Sequence, residues 1–543
     1  MPTRKQLRVV EPTRFAMVPR NDIPRSAFDI SFTHKTTLSA GFLVPLYVDE
    51  VLPGDTFRVR MTAFARLATP IVPVMDNLIL ESFFFFCPNR LVWYNWQRFM
   101  GEKNSITDTT EFLTPQVTFN AGQVNVGTLP DYFGLTNPSG ANTLTVNVLP
   151  FRMYKLIYNE WFRDEDLISP VNVPSDEATE AGATNVNLFR RGKRFDYFTS
   201  CRPWPQKPSN SSAIMAMDGA LIPGGGMIFP QSGAPVTGLG IFGGPTPGAS
   251  PPVREAGGRT ETWPVNAFAS TDLVIKASPE NIFPDVRVLI NDIRTANQVQ
   301  LLLERNARGG TRYTELVRSH FGVVSPDLRL QRPEFLGGGR AHVTVNPVGQ
   351  TSATGITGGS TVLGELAGVG SAIADGHGFT QSFTEHGFII GMVNIRADLS
   401  YQQGVNRMWF RRSMFDYYFP ATAHLGEQAV LSREIFADGS AGDTDVFGYQ
   451  ERWAEYKYKP SMVTGLFRST HATPIDFWHF AQEFSVRPVL NETFIQEDPP
   501  VARVLQVDSP STDGEQFLVD ALFDIRKASA MPMFSIPGIG PRL

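Results

Sequence analysis

Cysteine is scarce: the 543-residue chain has two, Cys87 and Cys201. So few exclude a disulfide framework; they leave either a single bridge or two reduced, buried thiols, of which the thiols are the preferred reading. Long apolar runs are missing too. No segment approaches the ~18–20 residues of a membrane-spanning helix. The first residues, MPTRKQLRVVEPTRF, lack the apolar centre of a signal peptide. The expectation is a protein made in a cytoplasm and used there, or in something assembled there, with no membrane insertion. The net charge is −5, so the chain as a whole is no polycation.

Motifs that carry chemistry are also absent. There is no G-x-x-x-x-G-K-[ST], no H-E-x-x-H and no G-x-S-x-G. The eight histidines are scattered, and none has a partner four residues away. Gly238, Gly240 and Gly243 match G-x-G-x-x-G, but a dinucleotide site needs a strand before and a helix after. Pro235 precedes the match and Pro245 and Pro247 block the helix, so it is rejected as a product of composition. Asp438, Asp443 and Asp445 offer oxygens to a hard cation but lack EF-hand spacing, and an acidic turn is the simpler reading. No catalytic, cofactor or metal site is predicted, which speaks against an enzyme.

What is abundant is phenylalanine (41), glycine (47) and proline (41). A chain so punctuated is rich in turns and loops. TFRVRMTAFARL (56–67) alternates: Phe57, Val59, Met61 and Ala63 share one face, and Arg58, Arg60 and Arg66 lie on the other. Residues 340–348 and 387–401 are further strands. Residues 41–55 form an extended strand and turn, in which Pro45 disfavours a central ladder position. Helices are expected at 91–100 with Asn89 as N-cap, at 151–168, at 285–308 and from Thr311 to about Gly322.

Two long irregular stretches stand out. Residues 219–253 hold ten Gly, seven Pro and no charge. Exposed apolar residues there suit packing on other protein, or on the loop's own domain. Residues 350–379 are rich in Gly, Ser and Thr. At the N-terminus Arg4, Lys5, Arg8, Arg14 and Arg20 face one acid, Glu11, within 20 residues. This basic arm suits an anionic partner or a solvated terminus.

ESFFFFCPNR (81–90) breaks the alternation of a half-buried strand. Phe83 and Phe85 share one face and Phe84 and Phe86 the other. Both faces then need cover, from the sandwich interior on one side and from a helix, an inserted loop or a neighbouring subunit on the other.

KTTLSAGFLVPLYVDEVLPGDTFRVRMTAFARLATPIVPVMDN and ESFFFFCPNRLVWYNWQRFMGE resemble the N-terminal part of gokushovirus major capsid proteins, from microvirus phages with circular single-stranded DNA. The resemblance continues in FRMYKLIYNEWFRDEDL, RFDYFTSCRPWPQKP, GVNRMWFRRSMFDYYFPATAHLGEQAV, YQERWAEYKYKPSMVTGLFRS, FIQEDPP and RKASAMPMFSIPG. It implies a mainly β fold, an eight-stranded antiparallel jelly roll of viral capsid type with long inserted loops and several helices. Residues 1–40 become a basic arm on the inner surface, with Arg4, Lys5, Arg8, Arg14 and Arg20 touching DNA. Residues 41–543 become one jelly-roll domain, with 209–265 as a three-fold surface protrusion and 350–379 as a Gly/Ser/Thr-rich loop. The implied function is structural: sixty copies form a T=1 icosahedral shell in the virion, assembled in the bacterial cytoplasm around the genome. The implied partners are other copies, single-stranded DNA, a DNA pilot protein, an internal scaffolding protein and a bacterial surface receptor, with no cofactor. Rival readings are a trimeric phage spike and a β-sandwich carbohydrate-binding protein.

Overall fold

The computed structural model describes residues 25–103, 105, 107, 111–205, 253, 254, 260, 261, 290–309, 312–321, 324, 326–351, 364–505 and 516–534. The chain divides into two compact units, Met1–Lys207 with Glu304–Leu543, and Pro208–Leu303. In the second unit the described parts are a strand pair, Val253–Arg254 with Thr260–Glu261, and most of a helix that runs Ile290–Gly309. The loop at 219–252 and its rejected glycine motif lie outside the described residues.

The first unit is built on one antiparallel sheet of eight strands. They are β1 (Ser26–Leu38), β2 (Val44–Val51), β3 (Thr56–Leu67), β4 (Leu78–Pro88), β5 (Glu334–Gly349), β6 (Leu366–Ser382), β7 (Gly387–Ala397) and β8 (Phe517–Ser529). Their order is β1-β8-β3-β6-β5-β4-β7-β2. β5 joins the two halves, because Glu334–Val343 pair with β4 and Thr344–Gly349 with β6. A strand that changes partners in this way turns a corner. Within the β4 half the backbones approach closely, and Gly338, opposite Phe83, permits it: a Cβ there would lie 2.0 Å from the Ser82 carbonyl oxygen.

The sheet curls until its edges nearly meet. His34 Nδ1 of β1 lies 2.9 Å from the Leu46 carbonyl of β2, and the Phe32 and Tyr47 rings stack at 6.2 Å. β2 is an edge strand, as Pro45 requires. Inside lies the main core, with Phe57, Val59 and Met61 from β3, Phe84 and Phe86 from β4, Ile389 and Val393 from β7, and Phe517 and Phe523 from β8. The alternation read for 56–67 matches the burial of β3 residue by residue.

β4 is covered on both faces. Phe84 and Phe86 enter the interior, while Phe85 is buried and Phe83 half-buried in a second cluster outside the sheet. The cover is an insertion after β4. Its helix α1, Leu149–Ile157, has Pro150 in its first turn, where the missing N–H costs nothing. Met153, Tyr154 and Ile157 face the sheet with Trp93, and a π turn continues to Phe162. Trp161 meets Phe85 at 5.4 Å and Phe162 meets it at 5.8 Å. Both cysteines are buried free thiols.

Three expectations need correction. The helix expected over 151–168 ends at Phe162, because Asp164 Oδ1 accepts from the Asp166 and Leu167 N–H groups and folds a turn instead. The helix expected over 91–100 is a 3-10 turn at Asn89–Leu91 and one α turn at Trp96–Phe99. Pro88, not Asn89, stands at the N-cap, and the Tyr94 N–H leaves the helical path for Ser175 O at 3.2 Å. The stretch 350–379 read as a loop is strand from Leu366 onward. Its inward positions are Gly368, Gly370, Ala372 and Ala374, too small to show an apolar period. A bulge at 374–377, with Gly376 at φ +72°, then turns Asp375 toward Arg60 and Thr62.

Candidate assembly interface

Residues 406–425 form a ribbon of three 3-10 turns, Arg407–Phe410, Met414–Asp416 and Pro420–Thr422. The turns are capped locally. Asn406 Oδ1 accepts from Met408 N at 3.0 Å, and Asp416 Oδ2 accepts from Arg412 N at 2.9 Å and Ser413 N at 2.8 Å. Those N–H groups hold the Asp416 carboxyl below its ordinary range. From beneath, Arg407 donates to Ala429 O at 2.7 Å, and Arg411 reaches Glu455 and lies 4.2 Å from the Tyr456 ring centre. Trp453 Nε1 donates to Thr422 O at 3.0 Å.

This anchoring fixes the backbone and leaves the apolar side chains outside. Trp409 is 73% exposed and Phe415 72%, and Met408, Met414, Tyr417, Tyr418 and Phe419 are exposed beside them in sequence. Isolated exposed hydrophobes are ordinary, but a run this dense on a held backbone marks a protein–protein surface. Sequence reasoning passed over it as an interface and looked to 219–253 instead. The available signal was MWFRRSMFDYYF itself, which is aromatic with no period of two or 3.6.

The basic arm, Arg4, Lys5, Arg8, Arg14 and Arg20, lies outside the described residues. Arg58, Arg60 and Arg66 do project from the outer face of β3. Their neighbours bring acids to the same face. Arg60 pairs with Asp375 at 3.0 Å, Lys35 with Asp520 at 2.6 Å and Arg526 with Asp29 at 3.1 Å. The face is therefore far closer to neutral than β3 alone suggests. At the acidic turn, Arg487 Nη2 sits 2.8 Å from Asp438 and 3.0 Å from Asp443, so a guanidinium takes the place offered to a cation. Among the described residues no cluster of His, Cys, Asp or Glu could hold a metal, and no helix is long and apolar enough to cross a membrane.

Glu497 is buried, and burial raises its pKa from 4.5 to about 7 against the pull of Lys193, Arg396 and Arg191. The unfolded chain ionises near 4.5, so the stability from keeping Glu497 neutral is full below that pH and is lost as pH rises through about 7. Replacing Glu497 by Gln removes this loss. From about pH 5 to about pH 8 wild type is expected to lose roughly 3 kcal/mol relative to E497Q in urea unfolding. Parallel pH profiles would refute this.

The model of the capsid protein (F protein) family matches residues 16–539. The chain belongs to that family. Capsid protein VP1 of Bdellovibrio phage phiMH2K is 39% identical over 96% of this chain and 97% of its own. VP1 of Chlamydia phage 1 is 38% identical over 98% and 99%. VP1 of Spiroplasma virus 4 is 35% identical over 97% and 97%. These are gokushovirus proteins, as the sequence resemblance implied, and this capsid protein is structural rather than an enzyme. Its place is the virion and its partner is itself.

Proposed function

We propose that sixty copies of this major capsid protein close into a T=1 icosahedral shell around a circular single-stranded DNA genome. The observation that carries this reading is the exposed aromatic ribbon at 406–425 on a chain that the capsid family's model matches over residues 16–539. The eight strands are read as a jelly roll. Strand 1 lies beside 8, 2 beside 7, 3 beside 6 and 4 beside 5, the order obtained by rolling one long antiparallel hairpin. Repetition by symmetry stabilises a shell from modest contacts, because each subunit meets several neighbours.

The arm expected over residues 1–40 is shortened to the segment before β1, since Ser26–Leu38 belong to the sheet; that segment is read as the inner arm, with Arg4, Lys5, Arg8, Arg14 and Arg20 on DNA phosphates. The jelly-roll domain expected over 41–543 is read as starting with β1 at Ser26, with 209–265 projecting at the three-fold axes and serving attachment to a bacterial surface receptor. A DNA pilot protein and an internal scaffolding protein complete the partners, and assembly takes place in the host cytoplasm.

Negative-stain imaging and sedimentation of protein expressed with its partners test the reading. Closed shells are expected. Discrete trimers would favour a spike, and a glycan-binding monomer would favour a carbohydrate-binding protein. In the same particles, Ala at the five arm positions is expected to reduce packaged DNA and lower the salt at which shells open. Unchanged packaging and salt tolerance would remove the arm from the account.

A further inference from the structure

Outside the sheet, beside the cover of β4, lies a cavity of about 600 Å³. Phe83 of β4, Arg396 of β7, Phe335 of β5, Trp161, Arg191 and Phe195 line it. Its size falls within the ~300–1,000 Å³ of small-molecule sites.

Arg191 and Arg396 share a single ionic partner, with buried Glu497, whose pKa burial raises to about 7, acting on both from nearby. Glu81 of β4 accepts from Arg191, from Arg340 at 2.7 Å and from Arg396 at 2.8 Å. One carboxylate thus meets three guanidiniums. Arg396 is 4% exposed, and its Nε has no hydrogen-bond partner among the described residues. Burial first, and Arg191 beside it second, lower its pKa to about 10. Burial also lowers Lys193, on the same wall, to about 8. The wall's acids pair with two other cations of the same wall: Asp164 and Asp166 with Arg202 at 3.7 and 3.1 Å, and Glu165 and Glu315 with Arg312 at 2.9 and 3.5 Å. A bound anion would offset the repulsion between Arg191 and Arg396 where little water can do so.

The rest of the lining is aromatic. Phe335 and Phe195 keep exposed rings, while a guanidinium lies over the Phe83 ring at 4.8 Å. β4, which carries Phe83 at the cavity, is paired on both sides there, with β5 and with β7. The cavity's wall is made of side chains, aromatic and cationic together, and recognition rests on them. We propose that this cavity binds a nucleoside monophosphate unit, with its phosphate against Arg191 and Arg396 and its base against Phe335 and Phe195. A free nucleotide and a stretch of single-stranded DNA share that chemistry. The proposal stands whether or not the shell reading does.

The test is calorimetric titration of the full-length protein with dTMP, inorganic phosphate, a short oligodeoxynucleotide and an acidic peptide. Binding of dTMP is expected, weakened at least about fivefold by the pair Phe195→Ala and Phe335→Ala, since stacking contributes roughly 1–3 kcal/mol per base. Those variants should leave inorganic phosphate binding unchanged, whereas Arg396→Gln should weaken both. Comparable affinity for dTMP and oligonucleotide, relative to the Ala pair, identifies a free nucleotide; a much tighter oligonucleotide identifies a strand. Absence of dTMP binding, binding indifferent to the Ala pair, or displacement by the peptide at lower concentration would each overturn the proposal. Should Arg396→Gln fail to fold, the exposed Phe195 and Phe335 still decide it.

Discussion

Phe85→Ala is expected to destabilise the isolated subunit by about 3–5 kcal/mol, as much as Phe84→Ala on the opposite face of the same strand. Phe85 is 1% exposed, and its ring meets Trp161 at 5.4 Å and Phe335 at 5.3 Å. Phe84 is equally buried but packs inside the sheet, 5.5 Å from Phe379. A domain with one core would register only the inner ring. Here each truncation leaves a cavity in a different cluster, and the surrounding strands are paired and relax little. Against a total stability of about 5–15 kcal/mol, either loss is severe. Phe83→Ala, at a half-buried position, should cost clearly less. Unfolding in urea reads all three, and a Phe85→Ala cost below about 1 kcal/mol would show that the outer cover contributes little.

Shells should fail to form when Trp409 and Phe415 are both replaced by Ala, although the subunit itself folds normally. Both side chains are mostly exposed in the single chain, so their loss should change subunit stability by no more than about 0.5 kcal/mol each. At an interface, buried aromatic anchors contribute about 2 kcal/mol or more each. Symmetry repeats that loss at every copy of the contact, so a modest pairwise weakening becomes a failure to close. The capped turns and the anchors Arg407 and Arg411 are untouched, which keeps the ribbon in shape. Paired measurements decide the matter: urea unfolding of the subunit and sedimentation of particles. Normal particle yield with unchanged salt tolerance would move the interface elsewhere.

Much of the scaffold was legible because its strands are regular. β3 alternates in sequence and in burial, Pro45 sends β2 to an edge, and the phenylalanine run announces a strand covered twice. β6 was not legible, because its inward residues are small enough to pack against β3 and therefore resemble a loop composition. Helix ends were read too long where side chains such as Asp164 bind backbone N–H groups in competition with the helix. The ribbon was visible only as letters, since nothing local tells a buried aromatic from an exposed one.

The sequence by itself determined the family, the strand periods and the doubly covered β4. These rest on local alternation, on composition and on long runs of shared residues. Only the tertiary structure decided which charges meet and which aromatics remain uncovered. Asp375, Asp520 and Asp29 pair with Arg60, Lys35 and Arg526 on the outer sheet face from three different strands, and Arg191, Arg340 and Arg396 converge on Glu81 from 110, 259 and 315 residues away. Electrostatic balance and exposure depend on distances through space, and a one-dimensional pattern does not carry them.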